Sequence, residues 1–334
     1  MQSNQMSTPE SHEPLLTVLL PVYGRSDLLQ EALASVLALN DSENIELLIA
    51  DDGSDAVTER FLQRWVQDHA EERIHWIRRP KNIGLFANLN QAILEANSEW
   101  VLLLCSDDKL NPNALQRIYA LRQRWPETAL ILSTFESINA DGSQRPAVSA
   151  EFHDRVRSST GLVEPCQMLP ALLQLGSLNG NLTGMVFSRS LWKNAGPFKE
   201  DWRHAADWEW LMRAAEQAPL LLNRTPIARV RTHEAQLSNR NRRSGHELNE
   251  VASVVHSLLH HPLLRNQPNR ESWAAHQMQY QLWNLGKSWR HTSYRGLLQG
   301  VLSIHRSTGL RQTGIALLKW LPTRWRRHRE LIER

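Results

Sequence analysis

Leu15 to Leu20, LLTVLL, is an unbroken apolar run of strand-forming residues that stops at Pro21, the pattern of a strand buried on both faces. A polar loop, PVYGRS, follows. From Asp27 the apolar positions Leu28, Ala32, Leu33, Val36 and Leu37 recur at helical spacing, with Ser26 or Asp27 placed to cap the first amides. The unit then repeats. Ile45 to Ala50 predicts a second strand, DDGSD a loop, and Val57, Phe61, Leu62, Trp65 and Val66 one face of a helix. Ile74 to Ile77 predicts a third strand, leading through RRPKNIG into a helix that carries Leu85, Leu89, Ile93 and Leu94. Trp100 to Cys105 predicts a fourth strand, ending in SDDKL, after which Asn111 and Pro112 read as the cap and first residue of another helix.

This alternation implies an α/β fold: a mostly parallel, Rossmann-like sheet with helices on both faces and right-handed crossovers. Ala129 to Phe135 reads as a further strand and NADG as a hairpin turn, after which the pattern is irregular through residue 180. Strand character returns at Thr183 to Arg189 and Ile227 to His233, with a helix at Asp207 to Gln217 between them. From about Gly245 the chain reads as a C-terminal helical region. The expected organisation is a tail over residues 1–14, one half-domain over 15–135, a second over 136–244, and the helical region with its basic end over 245–334. In open α/β sheets ligands sit beyond the carboxyl ends of the strands, and those ends here are PVYGR, DDGSD, RRPKNIG and CSDD.

Composition narrows the classes. With 334 residues and ordinary apolar and charged fractions, the chain is globular. Its two cysteines, Cys105 and Cys166, are too few for a disulfide scaffold or a cysteine zinc site, which favours a reducing, cytoplasmic setting. The N-terminal residues lack the zones of a signal peptide, and no apolar stretch approaches the roughly 20 residues that span a bilayer. The formal net charge is +3, with the excess gathered in KWLPTRWRRHRELIER at the end. That end lacks a nucleic-acid-binding motif, so a solvated helix or a peripheral contact with an anionic membrane face is the expected use, with no nucleic acid as partner.

Asp107 and Asp108 stand side by side just past a buried strand, where their repulsion needs a cation or donor hydrogen bonds to offset it. Hard divalent ions take such oxygen ligands, although an acidic turn capping the next helix would look the same. Asp51 and Asp52, at the end of the second strand, are placed either to accept from a ribose or base or to cap a helix. No G-x-G-x-x-G follows the first strand and no P-loop occurs, which argues against nicotinamide enzymes and P-loop phosphotransferases.

The ordered set LLTVLLPVYGR, IELLIADDGSD, KNIGLFANLNQA and WVLLLCSDD resembles the donor half of the inverting family 2 glycosyltransferases of GT-A fold. The resemblance covers Leu15 to Leu110 well and later residues more loosely. It implies that Pro21 and Tyr23 line the nucleotide-base site, that Asp52 contacts base or ribose, and that Asn82 of the N-x-G segment joins the nucleotide-sugar site. It further implies that Asp107 touches the ribose and that Asp108 ligates a Mg or Mn ion bridging the donor diphosphate. Cys105 departs from the usual L-D-x-D-D run. Phe86 and Ala87 stand near where an arginine is often found, leaving Lys81, Arg78 or Arg79 to supply that charge.

AADWEWLMRA resembles the family's E-D motif, with Ala206 in the glutamate position and Asp207 in that of the general base. A sugar hydroxyl needs such a base because it is a poor nucleophile until its proton is leaving; as a bare feature, Asp207 could equally be an N-cap. In RVRTHEAQLS, His233 matches a residue that reaches the metal or diphosphate, with Arg229 and Arg231 as alternates, and Asn179 to Thr183 are candidates for the acceptor side. The resemblance thus implies metal-dependent, inverting transfer from a nucleoside-diphosphate sugar to a saccharide or lipid-linked acceptor, in surface polysaccharide or lipopolysaccharide synthesis. The rival readings are a sugar-phosphate nucleotidyltransferase, whose glycine- and lysine-rich loop is not seen in PVYGRS, and a non-catalytic nucleotide-sugar-binding module.

Overall fold

The computed structural model describes residues 15–24, 26–145, 149–177, 181–233, 246–288 and 294–332. An eight-stranded sheet is built from β1 (Leu16–Val22), β2 (Ile45–Asp51), β3 (Ile74–Arg78), β4 (Trp100–Leu103), β6 (Leu130–Ser133), β9 (Gly161–Val163), β10 (Met185–Ser188) and β11 (Leu220–Asn223). Its order is β3-β2-β1-β4-β10-β6-β11-β9. β1 runs parallel to β2 and β4, and β11 parallel to β6, while β10 and β9 are reversed against their neighbours. A second sheet, β5-β12-β7-β8, joins β5 (Lys109–Leu110), β12 (Ala228–Arg231) and the hairpin of β7 (Glu136–Ile138) with β8 (Gln144–Arg145).

Successive side chains of a strand point to opposite faces, and the core divides accordingly. Val18, Leu20, Leu47, Ile49 and Leu102 pack under α1 (Ser26–Leu37), α2 (Ala56–Asp68) and α4 (Ala114–Arg124). Leu19, Leu48, Val101 and Leu103 face the other way, toward α3 (Leu85–Glu95), α6 (Pro165–Leu175) and α8 (Ala206–Gln217). The second cluster continues into the C-terminal helices α9 (His246–Leu259), α10 (Arg270–Ser288) and α11 (Tyr294–Thr308) through Val255, Met278 and Ile304. The remaining helices are α5 (Ser149–Val156), α7 (Arg189–Ala195) and α12 (Leu310–Ile332). Among the described residues no helix is long and apolar enough to cross a membrane.

Two local expectations change. β1 continues through Pro21 to Val22, because its ladder with β4 ends at Leu19 and the absent proline amide would have faced that vacated side. The fourth helix begins at Ala114, not at Pro112. Residues 109–110 are first taken up as β5 by β12, and Asn111 N donates to Ile227 O at 2.9 Å. α5, β9, α6, α7 and β11 fill stretches that the hydrophobic pattern left unassigned.

Candidate active site

The DDGSD loop is locked against RRPKNIG. Asp52 is buried, its Oδ1 accepts from Ile83 N (2.7 Å) and its Oδ2 from Gly84 N (3.0 Å). Burial raises its pKa against those two bonds. Asp52 therefore ties down the loop that carries Asn82. Gly53 has φ +68°, and a Cβ there would lie 2.6 Å from Lys81 C, so this turn demands glycine on both counts. Gly24 N donates to Ser54 Oγ (3.0 Å), fixing the end of β1 with Tyr23 58% exposed beside it. Of the three candidate cations, Arg79 is buried and turned inward to Glu95 (2.7 Å) and Asn88 (3.0 Å). Arg78 is held by Glu59 and the Ser54 carbonyl, while Lys81 stands exposed with Asn82 on the strand-end edge.

The acidic turn separates its two carboxylates. Asp108 is 2% exposed; its Oδ1 accepts from Arg231 N (2.7 Å), and its Oδ2 from Asn181 Nδ2 (3.0 Å) and Thr183 Oγ1 (2.5 Å). Burial and then the charge of Asp107 push its pKa up to about 7. Asp107 is partly exposed and bonded to His233 Nε2 at 3.0 Å. Arg231, fully buried, sews the turn to its surroundings: its guanidinium donates to the carbonyls of Asp107 (2.9 Å) and Ala140 (2.7 Å) and to Glu31 (2.8 Å) of α1. Arg229 pairs with Glu136 outside. Both alternates to His233 are thus engaged in ion pairs, Arg231 with Glu31 and Arg229 with Glu136.

Both Asp108 oxygens are engaged by these three donors, while Asp107 and His233, bonded to each other, offer an oxygen and a nitrogen of the kinds a divalent cation takes. Cys105, Asp107 and Asp108 have ligand atoms within 4.8 Å of one another. The Cys105 thiol, however, is pushed well up by burial and by both carboxylates, and it donates to Asn181 Oδ1 at 3.6 Å. A protonated thiol is a poor ligand, whereas the hard carboxylate oxygen of Asp107 suits Mg or Mn. The donor set fits the cation that the resemblance implied.

Asp107 and Asp108 line a cleft of about 810 Å³ whose lining also includes Asp207. Pro21, Tyr23, Asp52 and Asn82 are not among its lining; they belong to the neighbouring strand-end edge. Asp207 sits in the first turn of α8, near Ser177 Oγ (3.3 Å). Desolvation raises its pKa, partly opposed by the Trp208 amide and by His204. Asn179 lies outside the described residues, whereas Asn181 and Thr183 are the Asp108 donors already named.

Sequence reasoning missed the C-terminal helices as part of this site. Glu250 of α9 accepts from three successive amides, Arg203 N (2.8 Å), His204 N (2.7 Å) and Ala205 N (2.8 Å), and so fixes the segment that delivers Asp207. Glu247 and Gln281, bonded at 2.8 Å and both buried, reach the cleft from α9 and α10, with Tyr280 beside them. No signal in one sequence marks such long-range carboxylate clamps.

Residues 17–170 match the model of glycosyl transferase family 2. A protein of Escherichia coli K12 described as a colanic acid biosynthesis glycosyl transferase, WcaA, is 34% identical over 113 residues, covering 34% of this chain and 39% of that protein. One of Bacillus subtilis described as a teichuronic acid biosynthesis glycosyltransferase, TuaG, is 31% identical over 105 residues, covering 31% and 40%. The chain thus matches about two fifths of the length of either relative. Residues 1–349 of S. aureus TarS, crystallised in complex with UDP-GlcNAc, superpose with a TM-score of 0.65 at 15% identity, covering 92% of this chain and 85% of that one.

Proposed function

From the match of residues 17–170 to the family 2 glycosyltransferase model and the shared fold with TarS, we propose that the chain moves a sugar from a nucleoside-diphosphate sugar to an acceptor hydroxyl with inversion. The observation that carries this reading is the cleft itself, which is lined both by Asp107, paired with His233, and by Asp207. In this reading Asp107 and His233 would hold a divalent cation, which would supply positive charge to offset that of the diphosphate. Asp108 keeps the turn rigid behind them. Pro21, Tyr23 and Asn82 meet the nucleotide along the strand-end edge, with Lys81 near its phosphates.

Asp207 takes the proton of the acceptor hydroxyl. The freed oxygen pair forms the new bond to the anomeric carbon as the carbon–oxygen bond to the diphosphate breaks on the opposite side, and that bond pair leaves with the diphosphate. Burial suits Asp207 to this work, because a carboxylate with raised pKa binds a proton more tightly at the moment of transfer. Residues 15–135 form the donor half and 136–244 the base-bearing half, with 245–334 completing the acceptor wall. The names of WcaA and TuaG support a surface polysaccharide as the product class, made at the cytoplasmic face on a lipid-linked or saccharide acceptor. A peripheral contact of the basic C-terminal end with the membrane belongs to the same reading.

The test is turnover of nucleoside-diphosphate sugars, with and without EDTA, by the wild type and Asp207→Asn. Metal-dependent turnover lost in the variant is expected. Full activity in the variant, or indifference to EDTA, overturns the assignment.

A further inference from the structure

Twelve large apolar side chains stand exposed among the described residues, and six of them, Tyr294, Leu298, Leu302, Leu310, Ile315 and Leu318, fall within two consecutive helices, α11 and α12. Chance scatter of surface leucines does not give that concentration. At 3.6 residues per turn, Tyr294, Leu298 and Leu302 form one stripe along α11. The stripe cannot turn inward, because the opposite face is committed: Gly300, Ile304 and Ser307 are buried, and a Cβ on Gly300 would lie 2.9 Å from Leu285 of α10. Tyr294 is 80% exposed and Leu318 69%.

Charge decides what covers this face. From residue 294 to residue 329 the chain has no Asp or Glu, while Arg295, Arg306, Arg311, Lys319, Arg324, Arg326, Arg327 and Arg329 all lie there. Arg295, Arg306, Arg311 and Lys319 are exposed beside the apolar stripe. Two copies of such a face repel each other, whereas an apolar row flanked by cations complements an anionic lipid surface. We propose that the outer face of α11 and α12 docks on an anionic bilayer, with Leu298, Leu302 and Leu318 entering the interface and the flanking arginines at headgroup level. This rests on the peripheral contact proposed above and extends it from the terminal basic run to a folded face.

The placement ties that face to the cleft. α10 turns His276, Gln277, Tyr280 and Gln281 to the cleft, and its other side carries α11 and α12, with Trp320 edge-on to Trp283 at 6.2 Å. A single helix thus separates the docking face from the Asp207 wall, which brings an acceptor anchored in lipid within reach of the base.

The experiment is co-sedimentation of the full chain with vesicles of phosphatidylcholine alone or mixed equally with phosphatidylglycerol, at low and high sodium chloride. The variants are Leu298→Ser with Leu302→Ser, Arg295→Ser with Arg311→Ser, and a tail variant with Arg324→Ser, Arg326→Ser, Arg327→Ser and Arg329→Ser. Binding only to the anionic vesicles and weakening with salt is expected. The leucine pair should weaken it at least about tenfold, and each arginine about fivefold. Manganese-dependent nucleotide binding should stay unchanged in every variant, showing an intact fold. Absence of binding to anionic vesicles overturns both the face and the peripheral contact. Loss in the tail variant alone overturns the face and leaves the contact to the terminal run. Self-association seen by light scattering and lost in the leucine variant, without vesicle binding, assigns the face to a second copy and also overturns the proposal.

Discussion

Asp107 and Asp108 are neighbours in sequence and opposites in environment. The sequence placed an acidic pair at the end of a strand, but which carboxylate faces the cleft depends on Thr183, Asn181 and Arg231, which lie about 70 to 120 residues downstream. Asp107→Asn should abolish manganese-dependent stabilisation with only a small change in the metal-free melting temperature, because relief of its repulsion with Asp108 offsets the weakened contact to His233. Asp108→Asn should cost about 1–3 kcal/mol, because an amide cannot accept from all three donors, and denaturant unfolding measures it. For Asp207 the sign is set by its raised pKa: the base works deprotonated, so turnover should rise with pH through a limb above the ordinary carboxylate range. Asp207→Asn should lower kcat by roughly 100- to 10,000-fold with nucleotide binding intact.

At the scale of elements, the strand-and-helix alternation from β1 to α4 was readable because the buried strands are mostly apolar runs and each helix shows an apolar stripe. β5 escaped because its two residues are strand only through pairing with β12, and the reversal of β10 between β4 and β6 leaves no local mark. The link from α9 to α8 was equally illegible. One carboxylate, Glu250, gathers three amides ahead of Asp207. Glu250→Ala should destabilise the fold by about 2–3 kcal/mol and lower kcat with little change in donor KM. In an Asp207→Asn background the same change should leave kcat nearly unaltered, because Glu250 acts on catalysis through that aspartate. Gly53→Ala, forced into a positive φ against Lys81, should cost about 2–4 kcal/mol.

Across the whole molecule, one core cluster runs from Leu19 in the first strand to Ile304 in the helical region, so the C-terminal helices are built onto the sheet and close the cleft. The helical character of that region was legible from residue 245 onward; its share in the cleft was not. Three carboxyls around the strand ends, Asp52, Asp108 and Asp207, have raised pKa values in the fold. As pH climbs from the ordinary value of 3.8 toward about 7, the unfolded chain ionises Asp108 while the folded chain still holds its proton. The metal-free protein should therefore lose stability from this group across that window, and Asp108→Asn should flatten the dependence of melting temperature on pH.

The central claim is that Asp107 and His233 grip a divalent cation against the diphosphate of a bound nucleotide. Isothermal titration of UDP and GDP into the wild type and Asp107→Asn, with manganese and with EDTA, tests it most directly. One nucleotide binding the wild type only with manganese, and not binding Asp107→Asn, is the predicted result; equal binding with EDTA, or by Asp107→Asn with manganese, contradicts it.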